Sequence, residues 1–162
     1  MSKTLFNLRV GDVSQRDVVS VSKEDTVSFA LGLMVQNRTA ALPVVNSTGG
    51  IVGMFSASDI VGLVHDLDEE MRDPAEPAPQ WLMTKLRDHD LERQSVADLM
   101  STDVATIARD NSLRDAAATM LRNRVHRLPV VEKDDRVIGI VSTTDILEAF
   151  VEHCPEELPA EA

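Results

Sequence analysis

The sequence predicts a mixed α/β (α+β) fold in which two β-α-β-β-α repeats pack sheet to sheet with pseudo-twofold symmetry. The first observation is an internal repeat: a shift of 86 residues aligns residues 10–64 with residues 96–150 without a gap, and 16 of the 55 positions are identical. The second is that short β-rich runs alternate with helical patterns in each copy. The third is the length of a copy, which allows only a small core, so we expect the two copies to cover each other's sheets.

Each copy begins with a short β-rich run, at residues 18–21 and 104–107, which is followed by an amphipathic helix. Thr26 and Ser112 are residue types that cap helix N-termini, and apolar residues follow each of them at helical spacing. Every buried helix face should therefore consist of residues three or four positions apart.

The second half of each copy predicts a hairpin and then a second helix. The first strand of each hairpin contains a proline near its start, where a missing N–H is tolerated. Polar turns at 46–50 and 132–136 precede apolar strands at 51–55 and 137–141. The second helices are expected to begin at Ser56 and Ser142.

The repeats leave an acidic linker and an acidic tail. The predicted organisation is a first repeat with an N-terminal arm at 1–65, a linker at 66–95, a second repeat at 96–151 and a tail at 152–162. Three prolines between residues 74 and 79 exclude a continuous helix through the linker. The apolar residues from Trp81 to Leu86 indicate a short helix after these prolines.

Charge and composition narrow the classes of partner. The net charge is −11, and residues 65–95 alone contribute −5, so a nucleic acid partner is not expected. The apolar runs are too short to span a bilayer, and the first ten residues lack a secretory signal. The single cysteine, Cys154, excludes an internal disulfide. These features predict a cytoplasmic protein without a membrane partner.

One motif carries chemistry in both copies: Ser56-Ala57-Ser58-Asp59 and Ser142-Thr143-Thr144-Asp145. A Ser-x-x-Asp motif can form a capping box, which stabilises a helix by about 1 kcal/mol and needs no ligand. The alternative is a site for a ribose phosphate, because a helix N-terminus attracts phosphate while a neighbouring carboxylate suits ribose hydroxyls. The residues alone leave both interpretations open.

The L-P-V-V strand followed by G-x-x-S-x-x-D-I, present twice, resembles a tandem cystathionine-β-synthase (CBS) domain pair, also called a Bateman module. The resemblance covers residues 10–64 and 96–150, about two thirds of the chain. It implies repeats stacked about a pseudo-twofold axis, frequent dimerisation, and clefts for adenosine-containing ligands such as AMP, ADP, ATP or S-adenosylmethionine. The sequence offers no catalytic or metal-ligating constellation, so we expect no enzyme, no metal and no other cofactor.

The resemblance also implies crossed clefts, in which the Asp motif of one repeat faces strand-entry residues of the other. The first cleft would contain Ser56, Ser58, Asp59, Asp103, Ala105, Val125, His126 and Arg127. The second cleft would contain Asp17, Val19, Thr39, Ala40, Ala41, Ser142, Thr144 and Asp145. In each cleft the aspartate of the motif would hold the ribose hydroxyls.

The two clefts are expected to differ in charge. His126-Arg127 is similar to the His-Arg pair that contacts phosphates in AMP-sensing relatives, whereas the first repeat has Ala40-Ala41 at the same positions. Hydrogen bonds from a guanidinium to phosphate contribute about 1.5–3 kcal/mol each. We therefore expect tighter phosphate binding in the cleft of Asp59 and Arg127. The alternative is that Arg127 is an ordinary exposed residue.

The expected function is a non-catalytic regulatory module. It would bind an adenine nucleotide and signal through a change of conformation or assembly to an unknown effector protein, with a homodimer as the expected assembly. The alternative is a protein–protein interaction or dimerisation module whose clefts are empty.

Overall fold

The structure is a computed structural model, and it describes residues 7–66 and 90–153, without the side chains of 63–66. The chain divides into two compact units. The first-repeat unit contains residues 19–66 and 90–104, and the second-repeat unit contains residues 7–18 and 105–153. The short helix predicted near Trp81, the tail and Cys154 lie outside the described residues.

The hairpins and the longer helices follow the predicted order, and the structure adds two four-residue helices that the sequence did not predict. In chain order the helices are α1 (Val10–Val13), α2 (Val27–Gln36), α3 (Ala57–Asp66), α4 (Val96–Leu99), α5 (Leu113–Asn123) and α6 (Thr143–His153). The strands are β1 (Ala41–Val45), β2 (Ile51–Ser56), β3 (Ile107–Ala108), β4 (Arg127–Val131) and β5 (Val137–Ser142), with a 3₁₀ turn at Lys133–Asp135. None of the helices within the described ranges is long and apolar enough to cross a membrane.

In the first-repeat unit, β1 and β2 form an antiparallel hairpin in which Val44 lies opposite Gly53. The β-rich run at 18–21 contributes a single parallel bridge, from Val21 to Val44, and no longer strand. The run ends there because the amide of Ser22 donates to the side chain of Asp25 at 2.8 Å, which starts a turn. The predicted strand is thus shorter than its sequence pattern indicates.

In the second-repeat unit, β4 and β5 form the corresponding hairpin, with Val130 opposite Gly139. Here the preceding run adds a true two-residue strand, β3, which is parallel to β4. The amide of Ala108 donates to Asn111 Oδ1 at 3.1 Å, and this turn ends the strand. Both units therefore combine an antiparallel hairpin with flanking helices, and this mixed α/β structure confirms the predicted fold class.

Both predicted helix caps are present. Thr26 Oγ1 accepts a hydrogen bond from the amide of Phe29 at 3.1 Å, and Ser112 Oγ accepts one from the amide of Asp115 at 3.1 Å. The buried residues of α2 and α5 occupy the predicted helical spacing: Val27, Ala30 and Met34, and Leu113, Ala116 and Met120.

Each unit has its own hydrophobic core, and each core takes one short helix from the opposite copy of the sequence repeat. Val10 of α1 is fully buried in the core of the second-repeat unit, beside Leu128 and Val130. Val96 of α4 is fully buried in the core of the first-repeat unit, beside Leu42 and Val44. Relative to the sequence repeats, the compact units therefore exchange their leading segments. Residues 10–18 lie in the second-repeat unit, and residues 96–104 lie in the first-repeat unit. This exchange decides which residues reach the Ser-x-x-Asp motifs.

Candidate functional site

The first Ser-x-x-Asp motif forms the junction between β2 and α3. The backbone amide of Ser56 donates to Asp59 Oδ2 at 2.6 Å, and the Ser56 hydroxyl donates to the same oxygen at 2.8 Å. The Ser58 and Ser56 hydroxyls share a hydrogen bond of 2.8 Å. Asp59 thus reaches back over the start of the helix, as the capping interpretation predicts.

The second motif has the same contacts to Oδ2 at the junction of β5 and α6. Asp145 Oδ2 accepts from the amide and the hydroxyl of Ser142, both at 2.6 Å. The amide of Asp145 donates to Ser142 Oγ at 3.2 Å, which completes a reciprocal capping box. Asp145 is only 8% exposed, so its carboxylate is fixed by packing as well as by hydrogen bonds.

A donor from a distant segment reaches the other oxygen of each carboxylate. Ser101 Oγ donates to Asp59 Oδ1 at 3.3 Å, and Gln15 Nε2 donates to Asp145 Oδ1 at 3.4 Å. Ser101 and Gln15 occupy equivalent positions in the two copies, one shift of 86 residues apart. Sequence reasoning missed both residues, because serine and glutamine share no recognisable motif.

Backbone hydrogen bonds hold these two donors beside strands β5 and β2. Gln15 and Ile140 exchange two backbone hydrogen bonds of 2.9 Å, and Ser101 and Met54 exchange two of the same length. Each pair is an isolated antiparallel bridge at the edge of a hairpin. The distant segment is therefore held by the strand that leads into the Ser-x-x-Asp motif.

The glycine of the G-x-x-S-x-x-D motif makes this approach possible. A Cβ on Gly139 would lie 3.0 Å from the carbonyl oxygen of Gln15, and a Cβ on Gly53 would lie 3.0 Å from that of Ser101. Any side chain would push the distant segment away from the strand. These glycines are the one sequence signal that could have located the missed donors.

The two interpretations of the motif use different oxygens. Oδ2 of each aspartate is occupied by its own serine, whereas Oδ1 accepts a single long hydrogen bond from the residues that the structure describes. A carboxylate offers about four lone-pair sites, so each Oδ1 keeps capacity for another donor. The capping box therefore orients a carboxylate that can still accept a hydroxyl of a ligand.

Capping alone does not mark a ligand site, since Ser95 with Asp98 and Ser112 with Asp115 form the same box at α4 and α5. The Ser112 hydroxyl and amide, in that order, hold the pKa of the exposed Asp115 below its usual range. Among the described residues, no donor from a distant segment bonds to Asp98 or Asp115. The distant donor is what distinguishes Asp59 and Asp145.

The remaining predicted residues divide between the two units. Of the first predicted cleft, the first-repeat unit contains Ser56, Ser58, Asp59 and Asp103, and the second-repeat unit contains Ala105, Val125, His126 and Arg127. Of the second, the second-repeat unit contains Asp17, Ser142, Thr144 and Asp145, and the first-repeat unit contains Val19, Thr39, Ala40 and Ala41. The joining of these halves into crossed clefts stays a prediction.

The His-Arg pair has a defined place within its own unit. Arg127 is the first residue of β4 and lies opposite Ser142 in the strand register, while Ala41 lies opposite Ser56 in the other unit. The carbonyl of His126 accepts from the amide of Thr143 at 2.9 Å, and Ala40 accepts from Ala57 in the same way. The two motifs thus differ in charge next to otherwise identical backbone.

A third feature is an open pocket of about 530 Å³ between α5 and α6 in the second-repeat unit. Its walls include Met120, Leu121, Val125 and Leu147. Leu121 is 80% exposed and Leu147 is 63% exposed, although both are large apolar residues. The pocket faces solvent and is mainly apolar, and its walls also include Arg124 and His126, the latter a residue of the first predicted cleft.

Comparison with known proteins identifies the family. The sequence model of the CBS domain matches residues 10–66 and 96–152, which is more than half of the chain. An uncharacterized protein of Methanocaldococcus jannaschii is 30% identical over 153 residues, which cover 88% of this chain and 90% of that protein. The chain belongs to the CBS domain family, as the sequence resemblance predicted.

Solved structures support the fold and extend the comparison. The CBS-pair protein CBSX2 of Arabidopsis thaliana superposes with a TM-score of 0.71 at 26% identity, over 89% of this chain and 94% of that chain. CBSX2 in complex with AMP gives a TM-score of 0.68 at 27% identity, over 89% and 96% of the respective chains.

Other relatives are much longer proteins. The pig 5'-AMP-activated protein kinase subunit gamma-3 is 30% identical over 149 residues, which cover 92% of this chain but 26% of that subunit. An inosine-5'-monophosphate dehydrogenase of M. jannaschii is 28% identical over 140 residues, which cover 86% of this chain but 23% of the enzyme. The similarity therefore covers only a part of these two proteins.

Proposed function

We propose that this protein is a non-catalytic regulatory module that binds adenosine-containing nucleotides, of the AMP, ADP or ATP type, through the carboxylates of Asp59 and Asp145. The observation that carries the proposal is that the two oxygens of each carboxylate have different roles. One oxygen caps a helix, and the other faces a distant segment with capacity for a further hydrogen bond. Such a carboxylate suits the two neighbouring hydroxyls of a ribose.

The energetics favour a ribose over a bare anion as the group at Asp59 and Asp145. A charged carboxylate repels phosphate at short range, but a hydroxyl that donates to it forms a charge-assisted bond of about 1.5–3 kcal/mol. The capping bonds fix the carboxylate before the ligand arrives, so little side-chain entropy is lost on binding. Phosphates of the same ligand would then be held by other groups.

The relatives support the same class of ligand. CBSX2 has been solved with AMP, and the kinase subunit gamma-3 belongs to a 5'-AMP-activated enzyme. These properties belong to those proteins. They favour AMP-type ligands over other nucleosides as the first probes for this chain, with S-adenosylmethionine as a further candidate.

Regulation requires that ligand binding favour one of two arrangements of the protein. We propose that nucleotide binding changes the conformation or the assembly of the module and that an effector protein reads this change. The proposed module turns over no substrate: nucleotides recovered after incubation with pure protein should be chemically unchanged. Hydrolysis or transfer of a phosphate would overturn the non-catalytic assignment.

We propose a homodimer as the assembly. Apolar side chains are exposed at equivalent positions of the two units: Leu121 and Val35 are 80% and 78% exposed, and Leu147 and Val61 are 63% and 60% exposed. A second copy of the chain is a suitable occupant, since exposed apolar faces of this kind mark interaction sites. The same faces favour the second candidate function, an interaction or dimerisation module whose nucleotide sites are empty.

The remaining partners follow from composition. The net charge of −11 disfavours nucleic acid as a partner. A single cysteine in 162 residues suits a reducing compartment, so we propose the cytoplasm as the location.

Isothermal titration calorimetry with AMP, ADP, ATP and S-adenosylmethionine tests the function. Asp59→Asn and Asp145→Asn should each weaken binding at one site by tenfold or more, because a charge-assisted bond is lost. Asp115→Asn is the matched control, since it alters an equivalent capping box without a distant donor. No binding by the wild type, or equal weakening by Asp115→Asn, would overturn the proposal and favour the interaction module.

A further inference from the structure

A second pocket lies in the second-repeat unit and has a volume of about 200 Å³. It is lined by Gly11, Ser14, Arg16, Arg109, Glu132 and Ile138. Neither arginine forms an ion pair with another residue in the part of the chain that the structure describes. Glu132, the one acid of the lining, is paired with Arg136 at 3.1 Å. The pocket thus has two guanidinium groups without a carboxylate partner, although the whole chain is acidic.

Gly11 fixes the position of Arg109. The backbone amide of Gly11 donates to the carbonyl of Arg109 at 2.9 Å. A Cβ on Gly11 would collide with Arg109 Cγ and would lie 2.9 Å from Arg109 Nε. The arginine side chain therefore lies across the bare backbone of residue 11, a path that any larger residue would block. This path places the stem of the exposed Arg109 side chain beside the pocket that it lines.

The first repeat provides an internal comparison. The positions equivalent to the six lining residues are Ala97, Met100, Thr102, Lys23, Asn46 and Val52. The backbone there is the same, since the amide of Ala97 donates to the carbonyl of Lys23 at 3.0 Å. However, one lysine replaces two arginines, and alanine replaces the glycine. The arginine pocket is therefore a property of the second-repeat unit and does not follow from the fold.

The pocket is separate from the carboxylate of Asp145. Ser14 and Arg16 flank Gln15 on an extended segment, and Ser14 has φ −66° and ψ 143°. Alternate residues of an extended segment point to opposite sides. Because Gln15 bonds to Asp145, its two neighbours are directed away from that carboxylate. The pocket and the proposed nucleotide site thus share a segment but not a ligand-binding surface.

We propose that this pocket binds a small phosphate monoester. Planar guanidinium groups match phosphate oxygens with paired hydrogen bonds, and the Ser14 hydroxyl is a further donor. A water molecule occupies about 30 Å³ of liquid, so a pocket of about 200 Å³ holds more than a phosphate ion alone. Ile138 offers an apolar wall, and Glu132 offers an acceptor for a hydroxyl of the organic part.

Titration calorimetry of the full chain with glycerol 3-phosphate tests this proposal, in a phosphate-free buffer at constant ionic strength. Arg16→Gln and Arg109→Gln should each weaken binding by tenfold or more. Lys23→Gln is the matched control, because it removes one positive charge at the position equivalent to Arg109. It should leave the affinity unchanged. Equal weakening by Lys23→Gln would show only diffuse electrostatic attraction and would overturn the proposal.

The Gly11→Ala variant tests the position of the Arg109 guanidinium without changing the charge of the pocket. It keeps both guanidiniums, and a thermal melt run beside the titration shows whether displacement of the Arg109 side chain also destabilises the fold. Displacement of Arg109 should weaken glycerol 3-phosphate binding several-fold, and wild-type affinity in this variant would overturn the proposal.

Two further titrations test which ligand binds and which site binds it. Acetate should bind more weakly than glycerol 3-phosphate, and equal saturable binding would overturn the assignment to phosphate. Asp145→Asn should retain glycerol 3-phosphate binding, which distinguishes this pocket from the nucleotide site. No saturable binding by the wild type would overturn this proposal and leave the proposed nucleotide function untouched.

Discussion

The side-chain amide of Gln15 donates a hydrogen bond of 3.4 Å to Asp145 Oδ1, although 130 residues separate the two in sequence. The backbone of Gln15 is held beside Ile140, so the donor is delivered by main-chain pairing. Ser101 has the same relationship to Asp59. Each candidate carboxylate is therefore completed by a segment that the sequence repeat assigns to the opposite copy.

The first prediction concerns the strength of this contact. At 3.4 Å the Gln15 bond is longer than an ordinary N–H···O bond, so Gln15→Ala should lower the free energy of unfolding by less than about 0.5 kcal/mol. Asp145→Ala also removes the helix cap and should cost about 1 kcal/mol or more. Urea denaturation of both variants measures the difference. Equal destabilisation would mean that the Gln15 contact is an important structural bond.

The second prediction concerns the glycines under the distant segments. Gly139→Ala and Gly53→Ala should each destabilise the protein by about 1–3 kcal/mol, because the new methyl group overlaps a backbone carbonyl at 3.0 Å. Gly32→Ala is the control. Its Cβ would meet nothing within 4 Å in the middle of α2, so this variant should be up to about 1 kcal/mol more stable. Thermal melts should place Gly32→Ala at or above the wild type, and Gly53→Ala and Gly139→Ala below it. Wild-type stability of Gly139→Ala would contradict the close approach of the Gln15 carbonyl to Gly139.

The repeat allowed much of the fold to be predicted from sequence. Helix caps at Thr26 and Ser112, the hairpins and the helix starts depend on residues within a few positions of each other. Short-range signals of this kind are visible in a sequence. The capping role of Asp59 and Asp145 also depends on residues three positions apart, so the sequence could suggest it as one of two interpretations. The structure confirms the geometry of the cap.

The residues alone do not predict the exchange of leading segments, although the family resemblance assigned Asp103 to the cleft of Asp59 and Asp17 to the cleft of Asp145. Residues 10–18 and 96–104 have the same pattern, and β2 and β5 offer almost the same edge, so local sequence does not decide which segment pairs with which strand. Gln15 and Ser101 become site residues only through that choice. The pocket of Arg16 and Arg109 was missed for the same reason, since 93 residues separate them.

The third prediction concerns pH. The Ser112 hydroxyl, and then its amide, hold the pKa of Asp115 below its ordinary value of about 3.9. The charged form is therefore favoured in the folded state. Its stabilising effect is fully present above the ordinary pKa and is lost as pH falls through the lowered folded value. Urea denaturation should show that Asp115→Asn is less stable than the wild type at pH 7. The gap should narrow below about pH 4, and a gap that stays constant with pH would contradict this origin.

The fourth prediction tests the difference in charge between the two proposed nucleotide sites. The family resemblance assigns Arg127 to the ligand of Asp59, whereas the strand register places Arg127 opposite Ser142 of the Asp145 motif. Arg127→Ala should weaken AMP binding about tenfold or more at one site, and Arg122→Ala, on an exposed face of α5, should not. A double-mutant cycle by calorimetry assigns the partner. Non-additive loss with Asp59→Asn supports the predicted pairing, and non-additive loss with Asp145→Asn overturns it.

The fifth prediction concerns the homodimer. Leu147 of α6 and Val61 of α3 occupy equivalent positions and are 63% and 60% exposed, so glutamate at either should fold without burying a charge. If a second copy covers these faces, a desolvated carboxylate at the interface would cost several kcal/mol, and the dimer should dissociate. Sedimentation velocity at several protein concentrations measures this for Leu147→Glu, Val61→Glu and the wild type. The matched control is Glu148→Gln, an exposed change next to Leu147. A wild type that stays monomeric would overturn the homodimer, and variants that dimerise as the wild type does would place its interface on another surface.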